Sequence, residues 1–196
     1  MAYIATSDVR EYSGFPATDT TDCDLISNLI TRATGIIELY TDRVFEMSSD
    51  VRYYDAIEDV DGQYLYLDRD LAEITAIVNG NGVTVATTEY VTEPRNDTPF
   101  YAIRLLDSSS DDWTYTTDSQ NAISVDGKWG YSTTVPAEIQ HACVRLVMWM
   151  YKQRNTDEAA DRPVVFDTGI TIMPPRLPAD VVEVLNRYKR SSWGVV

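Results

Sequence analysis

His141 is the single histidine of this 196-residue chain, and it stands two residues before Cys143, one of two cysteines. A histidine beside a thiol is the pairing that a cysteine nucleophile uses, because imidazole takes the proton and the thiolate attacks. The spacing defeats that chemistry here. The surrounding residues read as helix, and residues two apart on a helix point about 200° from each other. Cys23 could meet His141 only across the fold, and the plain reading is a core thiol and a partly buried, hydrogen-bonded histidine. Asp59-Val60-Asp61-Gly62 has part of a calcium-loop pattern. The pattern also asks for an acidic ligand where Ile57 stands and a Glu where Asp68 stands, so a turn between strands is expected. Gly80 and Gly82 lack the third glycine and the Lys-Ser/Thr pair of a phosphate-cradling loop. Asp107, Asp111 and Asp112 fall in a Ser-rich run that reads as a solvated loop. No catalytic set, cofactor site or metal site follows, and the expectation is a protein that is not an enzyme.

The elements that carry these residues separate into helical and β-like stretches. The first helix is predicted from about Asp22 to Thr41, where Leu25, Leu29, Ala33, Ile36 and Tyr40 recur at three- and four-residue intervals. Gly35 interrupts it, and the expected reason is close packing of another element. From about Val51 to Asp126 the pattern becomes short, β-branched and aromatic: Tyr64 to Leu67, Ile74 to Val78, Val83 to Val85, Tyr101 to Leu106 and Ile123 to Val125. The Asn79-Gly80-Asn81-Gly82 run predicts a hairpin between Ile74 and Val85. A second helix is expected from Pro136, a residue tolerated at a first helical position, to about Arg154, and a third from Pro178 to Arg190. The intervening segment carries Val164-Val165-Phe166 and Ile170-Thr171-Ile172, which predict a β-hairpin arm turning at Asp167-Thr168-Gly169. The fold class expected is α+β: a small core of three main helices with a β-rich insertion between the first and second. Its parts are residues 1–50 and 129–190 for the helical core, 51–128 for the insertion, about 155–177 for the arm and 191–196 for the tail.

The net charge of −15 comes from 31 acidic and 16 basic residues. Phosphate binding needs basic side chains in excess, so nonspecific binding to nucleic acid or anionic membrane is not expected. Residues 50–126 hold 16 of the acids against four arginines, a net −12, whereas the tail from Arg176 onward is +2. No run approaches the roughly 20 apolar residues of a membrane span, and no signal peptide is readable at the start. Eight of the 13 tyrosines lie between Tyr53 and Tyr131, where they suit both strand faces and interfaces. Trp193 follows the basic helix end Tyr188-Lys189-Arg190 without a flanking core of its own, which leaves folding back or docking on another chain.

Three phrases then fall in a recognisable order. Tyr40-Thr41-Asp42-Arg43-Val44-Phe45 closes the first helix, Trp129-Gly130-Tyr131 leads through Pro136 into the second, and Tyr151-Lys152-Gln153-Arg154 closes that one. In this order the chain resembles the head-tail connector (adaptor, head completion) proteins of tailed bacteriophages, over about residues 6 to 154. Asp42 stands where a glycine is common in that family. Read physically, Arg43 is placed to bond the last free carbonyls of its helix, and Phe45 to lie over it. Gly130 allows a close approach before Pro136 starts the next helix. The signature residues Tyr40, Arg43, Phe45, Gly130, Tyr131, Pro136, Tyr151 and Arg154 are thus expected to be structural.

The resemblance implies a mechanical function. About twelve copies would form a ring beneath the portal protein, joining head to neck and continuing the DNA channel. DNA would pass in transit without specific binding. Stopper or tail-terminator neck proteins would be further partners, and the location would be the virion neck, after assembly in the host cytoplasm. Arg187, Tyr188, Lys189, Arg190 and Trp193 are then the residues expected to touch the portal. Val165, Phe166, Ile170 and Ile172 of the arm are the candidates for a neighbour or tail contact. The acidic insertion would face either the channel or the outside. A tail-completion or baseplate component, or a carbohydrate-binding β module, is the alternative.

Overall fold

The computed structural model describes residues 2–16, 20–153, 164–165, 171–172 and 177–190. In chain order the elements are α1 (Thr6–Ser13), α2 (Cys23–Thr41), β1 (Ser48–Tyr54), β2 (Val60–Asp61), β3 (Tyr64–Val78), β4 (Tyr90–Glu93), β5 (Phe100–Leu105), β6 (Ile123–Trp129), α3 (Ala137–Gln153), β7 (Val164–Val165), β8 (Thr171–Ile172) and α4 (Ala179–Tyr188). The protein is α+β, with four helices among the described residues and a six-stranded antiparallel sheet. Contacts divide it into a unit of Met1–Asp42 with Pro136–Val196 and a unit of Arg43–Val135. The expected edges at 50/51 and 128/129 fall inside β1 and β6.

In the first unit the apolar stripes of three helices meet. Ile26, Ile30, Ala33 and Ile37 of α2, Ile139, Cys143, Leu146 and Val147 of α3, and Val181 and Leu185 of α4 are all buried. The spans of α2, α3 and α4 agree with the apolar periodicity to within a residue or two at every described end. The helix α1 is additional. It buries only Val9, so it carries no stripe from which periodicity could be read. Gly35 overturns its expectation: it faces solvent, and a Cβ there would meet nothing within 4 Å among the described residues.

The second unit is the sheet, ordered β1-β6-β3-β5-β4, with β2 paired to the start of β3. Its core gathers Tyr54, Leu65, Leu67, Leu71, Ile77, Ile103, Leu105, Ile123, Val125 and Trp129. The two short strands expected at 64–67 and 74–78 are one 15-residue strand, β3. It pairs with β5 from Tyr64 to Leu71 and with β6 from Leu71 to Val78, with shifts of register along the way. Asp68-Arg69-Asp70 had the composition of a turn, but the strand runs through it because its carboxylates are satisfied. Asp68 accepts from Arg52 at 2.6 Å and from the Tyr54 hydroxyl at 2.8 Å, and Asp70 accepts from Arg43 at 2.8 Å. The expected hairpin is present: Gly82 N–H returns to Asn79 O at 2.8 Å and Val85 N–H to Ile77 O at 2.9 Å. Asn79 is buried and its amide group holds the Asp112 carbonyl and the Gly80 and Thr114 N–H groups.

Candidate functional site

Two of the signature phrases converge on one ring in the sheet unit, although Phe45 and Tyr131 are 86 residues apart in sequence. Tyr131 lies 5.3 Å from the Phe45 ring, carries the Arg43 guanidinium 5.2 Å above its own ring, and donates its N–H to Val44 O at 2.8 Å. Gly130 makes the approach possible. Its φ is 148°, and a Cβ there would stand 2.9 Å from Glu46 O and 3.0 Å from Met47 Cα. The role expected for Arg43 is corrected. Its Nη1 donates to Asp70, with side chains only 17% and 7% exposed, and the terminal carbonyl of α2 at Thr41 is taken by the Arg190 N–H at 2.8 Å. Phe45 is fully buried. Asp42 takes the left-handed conformation that ends α2, at φ 52°, which Asp bears better than most residues other than glycine.

The remaining signature residues bind helix to helix. Tyr40 OH donates to Asn186 Oδ1 at 2.8 Å, and Tyr151 OH to Asp22 Oδ2 at 2.6 Å. Pro136 starts α3, its carbonyl accepting the Gln140 N–H at 3.0 Å. Arg154 lies outside the described residues.

The basic end of α4 is mostly engaged within its own unit. Tyr188 OH donates to Glu138 Oε2 at 2.9 Å, Lys189 Nζ lies 5.9 Å over the Tyr40 ring, and Arg190 closes α2 through its backbone. Arg187 is the open one. It is 63% exposed and pairs one turn back with Glu183 at 3.1 Å, a contact worth little in water. Trp193 lies outside the described residues, as do Phe166 and Ile170. Val165 and Ile172 fall in β7 and β8, which pair antiparallel with Val164 opposite Ile172 and Val165 opposite Thr171.

The residues that could do chemistry are apart. His141 is exposed, not partly buried, and meets Tyr12 edge-on at 5.8 Å between ring centres, while Cys143 is buried. Burial pushes the Cys143 thiol up to about 12, which leaves almost no thiolate at neutral pH. Cys23 Sγ accepts from Arg10 Nη1 at 3.3 Å. Asp59 lies just before β2 and Asp61 in it, opposite Tyr64 across the Gly62-Gln63 turn, and among the described residues no group of three or more His, Cys, Asp or Glu could hold a metal.

Asp55 is a structural carboxylate that sequence reasoning passed over. It accepts the Ile57 N–H at 2.7 Å, the Glu58 N–H at 3.2 Å and the Ser119 hydroxyl at 3.2 Å. The Ile57 bond, with help from the other two, holds its carboxyl below the usual carboxylate range. The folded value is depressed, so its stabilisation is present above the ordinary carboxylate pKa and is lost as pH falls through the folded one. A carboxyl-carbon NMR titration is therefore expected to place Asp55 below the exposed carboxylates. A midpoint at or above theirs would remove the argument.

Taken together, the aromatic, guanidinium and carboxylate groups of these side chains fix elements against one another. A family model for head completion proteins matches residues 2–191. The chain belongs to the head completion protein family, in agreement with the resemblance carried by Tyr40 to Phe45 and Trp129 to Pro136. Comparison with curated proteins returns no match. Among solved structures it is similar to a chain in the neck of an empty gene transfer agent (GTA) particle computed with C6 symmetry. That similarity has a TM-score of 0.61 at 14% identity, over 99% of this chain and 93% of that one. A chain in the neck of a native GTA particle computed with C12 symmetry gives 0.58 at 14%, over 97% and 90%. A chain of the native GTA virion gives 0.59 at 16%, over 99% and 93%. At these identities the likeness is one of fold.

Proposed function

We propose that the protein is a structural component of a virion neck, forming a ring beneath the portal that joins the head to the tail and continues the DNA channel. The observation that carries this reading is the family match over residues 2–191, on a fold shared along nearly its whole length with neck chains of GTA particles. Two of those necks were computed with C6 and C12 symmetry, which favours closed cyclic assembly of about twelve copies. On this reading the helical unit is the connector core and the sheet unit its insertion. The charge agrees: Arg43–Val135 holds 17 acidic and six basic residues, a net −11, whereas the rest of the chain is −4. Were it to line the channel, such a surface would repel phosphate and let DNA pass without being gripped, within the roughly 8–10 Å reach of charge at physiological salt.

The portal contact is assigned to the C-terminal end, to Arg187 and Trp193 before the others, because Tyr188, Lys189 and Arg190 already serve the helical unit. Removing everything after Leu177 would strip α4 and with it the buried Val181 and Leu185. The cleaner variants are a chain ending at Arg190 and Arg187→Glu. Both are expected to keep the helical content and to weaken sedimentation with purified portal by about tenfold or more. Undiminished binding by both variants would remove the assignment. Electron microscopy of the chain with portal tests the ring itself, and a one-to-one complex without closed rings would contradict it.

A further inference from the structure

Helix α2 carries a glycine that the rest of its unit does not use. Gly35 stands inside this 19-residue helix, where glycine is less favourable than alanine. Its small size is of use only where another element comes close. Among the described residues none does: a Cβ on Gly35 would meet nothing within 4 Å. The space beside it is an open hollow of about 270 Å³, lined by Ala2, Thr31, Thr34, Gly35 and Glu38. A cavity of about 150 Å³ already holds a benzene ring, so the hollow has room for an aliphatic side chain. Its walls are held in place: Thr34 is buried, and Glu38 Oε1 accepts from Tyr3 OH at 2.8 Å.

The same helix presents the converse feature. Leu39, one turn beyond Gly35, is 87% exposed, the most exposed large apolar side chain among the described residues. Leu25 and Ile36, on the same side of α2, are half-buried. At 100° per residue, Leu25, Ile36 and Leu39 centre about 140° around the helix from Thr31, Thr34 and Glu38, with Gly35 between the groups. A projecting side chain and a hollow thus occupy two sides of one helix. They cannot meet within a chain, but they meet when the helices of two copies lie side by side.

We infer that α2 of one copy packs beside α2 of the next, with Leu39 entering the neighbour's hollow at Gly35. The inference rests on the ring reading above and specifies its contact. Rotation about a ring axis sets one side of a helix against the other side of its neighbour. The angle between those two sides follows from the number of copies, about 120° for six and about 150° for twelve. The two sides of α2 fall inside that range. Glycine at the contact lets the helix axes approach more closely than a larger residue would, so that the leucine reaches the floor of the hollow.

The test uses full-length chains assembled with portal. Gly35→Leu fills the hollow from within, and Leu39→Ala removes the projecting side chain. Both substitutions are at exposed helical positions and favour helix, so the free chains are expected to unfold at or above the midpoint of the unmodified one. Both are expected to lower the ringed fraction at least tenfold at a concentration where the unmodified chain is half assembled. The contact itself is read with Cys23→Ser chains, half carrying Arg32→Cys and half Thr31→Cys, positions at nearly one level on the two sides of α2. A short bismaleimide is expected to join the two kinds of chain within rings, with mass spectrometry placing the link at residues 31 and 32. Full ring formation by both Gly35→Leu and Leu39→Ala refutes the contact and leaves the ring standing, as do rings without that link. Loss of free-chain stability in Leu39→Ala with rings intact assigns Leu39 to a contact within its own chain and refutes the inference equally. Absence of rings from the unmodified chain overturns the ring reading, and the contact with it.

Discussion

Gly127→Ala is expected to cost the protein about 3 kcal/mol of stability, at the upper end of ordinary overpacking. Gly127 is buried in the middle of β6, opposite Asp50 on β1 and Ile74 on β3, where β3 shifts register on both sides. A Cβ built on it stands 2.4 Å from Glu73 O and 2.8 Å from Leu71 Cδ1. The leucine methyl could turn aside, but the carbonyl belongs to the β3 backbone and moves only if the strand moves. Three strands therefore share the cost. The comparison is Gly35→Ala in α2, where the new methyl meets nothing within 4 Å among the described residues. There the only change is helix propensity, and a gain of up to about 1 kcal/mol is expected. Urea unfolding followed by tryptophan fluorescence and far-ultraviolet dichroism reads both variants. Equal effects at the two glycines would show that the close approach at Gly127 relaxes without cost.

These two glycines also mark what was legible in the sequence. Gly35 is conspicuous because it breaks a clean helical stripe, and the stripe itself located α2 correctly. What faces a helix is not written in the helix, and none of the described residues packs against Gly35 as expected. The strands were legible where apolar residues alternate strongly, as at β5 and the start of β6. They were hidden at β1, whose Ser48-Ser49-Asp50 start has no apolar residue because it forms an edge. The length of β3 was hidden for a different reason. Asp68 and Asp70 look like turn residues until their partners are known, and those partners, Arg52, Tyr54 and Arg43, come from 14 to 27 residues away. The signature phrases could be quoted without knowing that they meet, since the Phe45–Tyr131 contact is a long-range fact. The end of α4 shows the same limit. Tyr188, Lys189 and Arg190 stood out as a basic aromatic cluster suited to a partner, and the helical unit uses all three itself.

Asp70→Ala is expected to have the largest effect of a single side-chain deletion, about 3–5 kcal/mol. Asp70 is 6% exposed and the Arg43 guanidinium lies between it and the Tyr131 ring. Deleting the carboxylate leaves a cation against an aromatic face, with no hydrogen-bond partner for its Nε among the described residues. Cation–π attraction of about 1–2 kcal/mol does not replace the lost ion pair. Because Arg43 retains 17% exposure, some of the charge can reach water, which places the expectation nearer the lower figure. Removing both charges, as Arg43→Met with Asp70→Leu, is expected to recover most of the loss, since no buried charge then remains unpaired. Asp70 also sits where the sheet unit begins and ends: its carbonyl accepts the Gly130 N–H at 2.8 Å, next to the residue on which Arg43 and Phe45 converge. The pair therefore joins two segments that sequence separates by 27 residues, and the Asp70 backbone ties them to a third at Gly130. A double-mutant cycle on denaturant midpoints measures that coupling. Single variants each costing less than about 1 kcal/mol, and additive in combination, would show that Arg43 and Asp70 are independent surface charges in all but geometry.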